Sequence, residues 1–525
     1  MSRLTLDRDR IESCRKISEK VARNLQDVVD HHTTISVERA VLRLFGIEEA
    51  YKGRPLVEAV LNTLGPEDLS KGICYWLGRA LVSQRTTPIS FCLRVAEGRL
   101  RFQELPDVDP EEIRVVLVPL AEGAISRIEQ AKETRKKRLR SLPPSPRPLR
   151  YVTLSPSSVE EQREEARSAI LQGADCIDIG SVPHLELLPE RYRLFRNLLD
   201  EISDREGRYI RLIASATDGQ IAEVTTIAAL EKVDYLSGDL FCDVLGGRGT
   251  VKQNLIEHQF ARRVMACAGI VLNTGVNLPA ASGGNYSQAI ATHFLTESLS
   301  LAGGMAFDQI GLGHPFRWSP ESEELLLHEM SGSCLIRELF PKAPLKYLPP
   351  SPDSLPEDLN PRFLQWLYHW VALVTGQEIF QVKDVKGDLR QLAMMKPLAE
   401  GFMDEMEFAS NGKLVRRART FLDDAFHLLQ RVERYGFLKS FEEGLFGNTS
   451  LLSTSDEGSI HKGDHYYNPL LELLNRPSEE ETSPITHTYH RGSERGHGER
   501  RGRRVGGPPR RGHGRGRPRR KQSRK

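Results

Sequence analysis

Twelve side chains in this sequence stand where short apolar runs end, and their types limit the chemistry open to them. Hydroxyls and amides dominate: Ser155, Ser157, Ser181, Ser215, Thr217, Asn273 and Asn277. Asp239, His314, Tyr347 and the neighbours Lys383 and Asp384 complete the set. Such groups, with backbone N–H donors beside them, suit the binding of a phosphate-bearing cofactor. They suit two-carboxylate hydrolysis poorly, because carboxylates are few. For each Ser or Thr the plainer role is capping of the helix that follows. His314, in IGLGHPF, has two readings: Gly311 and Gly313 let the backbone approach a ligand with His314 projecting at the rim, or His314 fixes the turn before Pro315.

The elements that must position these groups are eight strand-length runs separated by helical stretches: YVTLS (151–155), CIDIG (176–180), YIRLIA (209–214), VDYLSG (233–238), GIVLNTG (269–275), FDQIGLG (307–313), PLKYL (344–348) and EIFQVKD (378–384). Helix starts are marked by Ser158 with Glu161 three residues on, and by Asp218 before IAEVTTIAALEKV. Eight strand-then-helix units predict an α/β fold, a (β/α)8 TIM-type barrel over 149–411, whose carboxyl rim collects the strand ends. An open doubly wound sheet is the rival, but no glycine fingerprint for phosphate opens its first turn.

Residues 1–142 read as a helical N-terminal region: Ile11, Cys14, Ile17, Val21, Leu25 and Val28 recur at steps of three and four. The basic run KETRKKRLR closes a second long helix and reads as a solvated end favoured by the helix dipole. PPSPRP (143–148) then marks a boundary. Residues 412–476 read as a helical C-terminal segment, and 477–525 as a disordered Arg/Gly-rich tail. That tail hides an asymmetry: residues 491–525 hold fifteen Arg or Lys and two Glu, so the overall +2 leaves −11 on residues 1–490. Cys14, Cys74, Cys92, Cys176, Cys242, Cys267 and Cys334 show no metal-ligand spacing and read as buried thiols of a reducing, cytoplasmic compartment. No run is long and apolar enough for a membrane helix.

Six blocks carry a resemblance to the lysine 5,6-aminomutase α-subunit family. They are HHTTISVERAVLRLFGI (His31 to Ile47), GRYIRL (Gly207 to Leu212), AGIVLNTG (Ala268 to Gly275), QIGLGHPF (Gln309 to Phe316), LFPKAPLKYLPP (Leu339 to Pro350) and YYNPLLEL (Tyr466 to Leu473). The resemblance implies 1,2-migration of an amino group on lysine or a related amino acid by a radical route. It implies adenosylcobalamin to start the radical and pyridoxal phosphate to hold the migrating nitrogen. A cobalamin-binding β subunit is the implied partner, since this chain has no Asp-x-His-x-x-Gly motif.

At the family's cofactor positions this sequence departs from the pattern. Where the family places an Arg and then a Ser after the second strand, this chain has Gly180, Ser181 and a short loop. Thr217 matches a Ser, Phe241 a ring-stacking Tyr, Arg248 an Arg after a one-residue shift, and Asn277 an Asp. With His314 and Tyr347, these are the expected cofactor-binding residues. Two other assignments stay open: a cobalamin-dependent isomerase subunit without pyridoxal phosphate, and a non-catalytic scaffold paralogue. Nucleic-acid binding by the tail is disfavoured, because no aromatic residue follows Tyr489 to stack on bases. Deleting residues 477–525 is expected to leave the melting transition and capture of the cobalamin-binding partner unchanged; loss of either would place part of the fold in the tail.

Overall fold

The computed structural model describes residues 4–143, 145, 148–180, 182, 184–216, 220–275, 285–315, 324–348, 360–382, 385–405, 412–447 and 458–475. Ser181, Thr217, Asn277, Lys383, Asp384 and the tail from 477 onward lie outside the described residues. Each apolar run that reads as a strand is one: β1 (Leu149–Thr153), β2 (Cys176–Asp178), β3 (Arg211–Ser215), β4 (Tyr235–Ser237), β5 (Val271–Asn273), β6 (Ile310–Pro315), β7 (Leu345–Leu348) and β8 (Ile379–Val382). They pair in parallel in chain order, and β8 closes on β1 through Ile379 opposite Leu149 and Val382 opposite Val152. That last pairing makes a TIM-type barrel and excludes the open sheet.

The barrel interior is layered. Leu149, Tyr151, Cys176, Ile213, Tyr235, Val271 and Ile379 pack as one apolar cluster across the lower part. Above it stand the last residues of five successive strands, Thr153, Asp178, Ser215, Ser237 and Asn273, all polar. Several helices between strands start where a side chain supplies a cap. Ser158 accepts from the Glu161 N–H at 3.3 Å while Glu161 accepts from the Ser158 N–H at 3.0 Å, which is the capping box read from sequence.

Outside the barrel, helix α1 (Arg8–His31) buries Cys14, Val21 and Leu25, as its periodicity predicts. It packs against α5 (Tyr286–Ala302) and α7 (Lys413–Tyr435), so the described N-terminal and C-terminal helical segments lie on the barrel's flank. A two-residue antiparallel pairing, His32 with His461 and Thr33 with Ile460, clasps these ends. Beside the clasp, buried Glu38 accepts from Thr33 Oγ1 at 2.7 Å, the Ile73 N–H at 2.8 Å and Tyr466 Oη at 2.9 Å. Two of the sequence blocks that carried the resemblance, far apart in the chain, therefore meet on one carboxylate.

Helix α2 (Pro110–Ser141) departs from expectation at its basic end. Arg135, Lys136 and Leu139 are buried, not solvated, because the last turns run beneath the barrel. Leu139 joins the interior apolar cluster, and Arg135 donates to the carbonyls of Ala268 at 2.7 Å and Gly269 at 2.8 Å. A free helix end needs no partners for its cations, but one lying under strand and helix termini finds unsatisfied carbonyls there.

The glycines Gly311 and Gly313 also have a clear reason. A Cβ on Gly313 would lie 2.2 Å from the Thr274 carbonyl oxygen, and one on Gly311 2.3 Å from that of Leu272. They let β6 approach β5 rather than a ligand. Gly313→Ala is accordingly expected to destabilise the protein by ~1–3 kcal/mol through overpacking, seen as a lower urea midpoint at unchanged slope. An unchanged midpoint would mean that the two strands have room to part.

Candidate active site

Asp178, the last residue of β2, is the hub of the polar layer. Tyr151 Oη on β1 donates to it in a short hydrogen bond, Ser215 Oγ on β3 reaches both carboxylate oxygens at 2.9 Å, and the Gly180 N–H donates at 2.9 Å. On the next strands Asn273 Nδ2 donates to Ser237 Oγ at 2.8 Å. Five strands are thus linked pairwise at their carboxyl ends by side chains that the register places on the inner face.

Lys346 on β7 enters the same interior. Its Nζ lies 4.2 Å from the centre of the Tyr151 ring, and the side chain is buried. The ammonium has no hydrogen-bond acceptor among the described residues, and neither Asn273 Oδ1 nor Gln381 Oε1 has a donor. A buried cation and two buried acceptors are left open in the barrel interior, which is costly unless something else completes them. Burial pulls the Lys346 ammonium down to about 8 against the attraction of Asp178 and Cys176. Burial likewise pushes the Asp178 carboxyl above the usual carboxylate range, against the pull of its hydrogen bonds and of Lys346. Burial thus works against the charged form of each group, while each draws the other toward it.

The residues singled out from sequence fall into three groups. Ser215 and Asn273 join the interior layer. Asp239 caps the short helix Leu240–Leu245, accepting from the Phe241 N–H at 2.9 Å, and also accepts from the Gly275 N–H at 2.8 Å, tying the end of β4 to that of β5. Ser155 bonds Glu165 at the surface through its N–H at 2.9 Å, and Ser157 donates weakly to the Ser155 carbonyl.

The third group faces outward. His314 and Tyr347 stand opposite each other in register on β6 and β7, with ring centres 5.1 Å apart, directed toward α6 (Leu325–Leu339). His314 Nε2 pairs with Ser333 Oγ at 3.3 Å. Glu329 accepts from Tyr347 Oη and, at 2.9 Å, from Tyr286 Oη. Phe241 stacks on Phe441 with centroids 5.7 Å apart and touches Phe437 and Phe446, all in the C-terminal helical segment. Arg248 pairs with Asp243 at 3.2 Å. These four are therefore not gathered with Lys346.

Tyr151, Asp178 and Lys346 escaped the sequence reading, which looked only past the strand ends. A signal was present: CIDIG and PLKYL each carry one charge inside an apolar strand run, where an inward position must bury it. Among the described residues no group of three or more His, Cys, Asp or Glu could hold a metal ion.

The lysine titration gives a direct check. Below about pH 8 the ammonium is charged in folded and unfolded chains alike, so its burial costs stability in full. Between about 8 and its ordinary 10.5 the folded chain has lost a proton that the unfolded chain keeps, so stability rises with pH. Lys346→Met should remove that rise: urea melts should show the wild type gaining on the variant by up to ~1.4 kcal/mol per pH unit in this window. Parallel profiles would mean that the lysine is solvated.

The family described as the D-lysine 5,6-aminomutase TIM-barrel domain of the alpha subunit matches residues 4–182 and 187–473. The lysine 5,6-aminomutase alpha subunit of Acetoanaerobium sticklandii is 27% identical over 511 residues, covering 90% of this chain and 98% of that protein. Its counterpart from Fusobacterium nucleatum is 26% identical over 513 residues, covering 90% and 99%. Among solved structures, a dihydropteroate synthase from Vibrio fischeri is 14% identical and covers 50% of this chain and 95% of its own, with a TM-score of 0.34. A match that runs from the first helix through the closed barrel to the C-terminal clasp leaves one conclusion: this chain belongs to the D-lysine 5,6-aminomutase α-subunit family.

Proposed function

We propose that this chain is the barrel subunit of an aminomutase that moves an amino group between adjacent carbons of lysine or a related amino acid. Its cofactors in this reading are adenosylcobalamin, held mostly by a cobalamin-binding β subunit, and pyridoxal phosphate. The observation that carries the reading is Lys346, a buried ammonium in the barrel interior with no acceptor among the described residues. An amino-acid carboxylate or a cofactor phosphate would complete it. Asn273 Oδ1 and Gln381 Oε1 offer acceptors to N–H or O–H groups of the same ligand. These open groups fit a polar, anionic occupant.

When bound, the cofactors supply radical initiation and a carrier for the migrating nitrogen. The chain's own part is to bind and orient. Asp178, fixed by Tyr151 and Ser215, favours the charged form of Lys346 by proximity. The apolar layer below closes the interior to water from the other end. Ser181, Thr217 and Asn277, which follow β2, β3 and β5 in the sequence, are assigned to the cofactor in this proposal. Arg248, Phe241, His314 and Tyr347 are assigned supporting positions, each already engaged with a neighbouring helix or turn.

One observation favours a second reading, a cobalamin-dependent isomerase without pyridoxal phosphate: the Phe241 ring is stacked within the chain's own aromatic cluster. An absorbance spectrum of the chain, co-expressed with its cobalamin-domain partner and supplied with both cofactors, separates the two. A pyridoxal band beside the cobalamin bands supports the first, and cobalamin bands alone support the second. For the first, Lys346→Met is expected to weaken binding of the amino-acid substrate by roughly 10–100-fold, the weight of one charge-assisted hydrogen bond. Unaltered binding would remove Lys346 from the site.

A further inference from the structure

Helix α4 (Val251–Ala268), which returns the chain from β4 to β5, packs against α1 and α5, and two consecutive arginines on it meet different surroundings. Arg263 turns to α1 and pairs with Asp30 at 3.3 Å. Arg262 is fully buried, yet among the described residues no carboxylate lies within ion-pair distance of it. Its Nε donates to Ser300 Oγ of α5 at 3.1 Å, and its Nη1 has no hydrogen-bond partner among the described residues. Asp239 attracts the guanidinium only from a distance, its own oxygens being taken by the N–H groups of Phe241 and Gly275. Burial pulls the guanidinium down to about 10. Glu297, one turn before Ser300 on α5, interacts with Arg15 and Glu19 of α1 instead.

Buried arginines elsewhere in the fold have an acid in reach: Arg196 of α3 (Leu188–Glu206) pairs with Asp234 at 3.0 Å, and Arg43 with Glu223 at 3.5 Å. Beside Arg262 a second group is open. Gln259, three residues earlier and so on the same helical face, is fully buried with neither Oε1 nor Nε2 hydrogen-bonded among the described residues. Gly303, just past α5, marks where the two side chains meet: a Cβ there would lie 2.8 Å from Arg262 Cβ and 3.4 Å from Gln259 Oε1.

A buried cation without a counter-charge is costly, and neutral partners relieve that cost only in part. We propose that Arg262 Nη1 and the Gln259 amide N–H hold a chloride ion between α4 and α5. The anion supplies the missing charge and accepts a hydrogen bond from each group. Both side chains are closed off from solvent, which fits a single small ion better than an organic ligand. Its place joins the helices that follow β4 and β5, two strands whose ends Asp239 already ties, so the ion braces the barrel wall and stands outside the chemistry at Lys346.

The test is thermal unfolding of the full chain while sodium chloride replaces sodium gluconate at constant ionic strength, for the wild type and for the variants Arg262→Met and Gln259→Leu. Methionine fills the volume of the arginine stem without its charge, and with no ion pair to break the variant is expected to fold. In the wild type the melting temperature should rise with chloride and saturate, by roughly 2–4 °C in all. Arg262→Met should show no rise. Gln259→Leu, which keeps the cation, should need about tenfold more chloride for half of the rise, the weight of one hydrogen bond to a charged group. A flat or unsaturated wild-type profile would mean that the guanidinium takes no anion, and an equal rise in Arg262→Met would mean a general salt effect. Either result overturns the site, as does an unshifted midpoint in Gln259→Leu. Should Arg262→Met fail to fold, the Gln259→Leu midpoint decides alone.

Discussion

Eight parallel strands can close into a barrel only if side chains fill the space inside, and here that filling changes character along the axis. The lower layer is apolar and needs only volume, which Tyr151, Ile213, Tyr235, Val271 and Ile379 supply. The upper layer is polar, and polar groups inside a closed sheet must find partners in one another. Asp178 meets most of that demand, accepting from two neighbouring strands and from the backbone beyond its own. What it leaves uncompleted are the Lys346 ammonium and two amide oxygens.

The outer shell sets the register that brings these groups level. Tyr347 and Lys346 are consecutive on β7, so whatever fixes one fixes the other on the opposite face. Glu329 holds Tyr347 and Tyr286, Tyr368 stacks on Tyr347, and His314 sits beside it against Ser333. Gly311 and Gly313 allow β6 to press close to β5 without a side chain between them. A histidine and a tyrosine that look like rim ligands in the sequence thus serve as an outer brace for the lysine inside.

The two ends of the barrel then divide their tasks. The carboxyl end collects short polar side chains above a buried cation, in an interior where charge acts strongly. The amino-terminal end collects long basic side chains around helix termini and an open cavity. The clasp between the His32 and Ile460 segments, anchored on Glu38, holds the N-terminal helices and the C-terminal segment to the same flank.

The order of elements was legible in the linear chain because it depends on local chemistry. Runs of strand-forming residues, the Ser158 and Glu161 capping pair and the helical repeat of α1 all act within a few residues, and each appears where its pattern lies. The face on which a residue points depends instead on closure of the sheet, a contact between β8 and β1 more than two hundred residues apart. Sequence position therefore placed His314, Tyr347 and Phe241 near the rim but could not tell that they turn toward helices α6 and the C-terminal segment. It also passed over Tyr151, Asp178 and Lys346, whose meeting needs four strands in register. The basic end of α2 reads as solvated because the sequence cannot show the barrel floor above it. Local propensity decided which elements form; long-range strand pairing decided which side chains share the interior, because a strand turns successive residues to opposite faces and only the closed sheet says which face is inside.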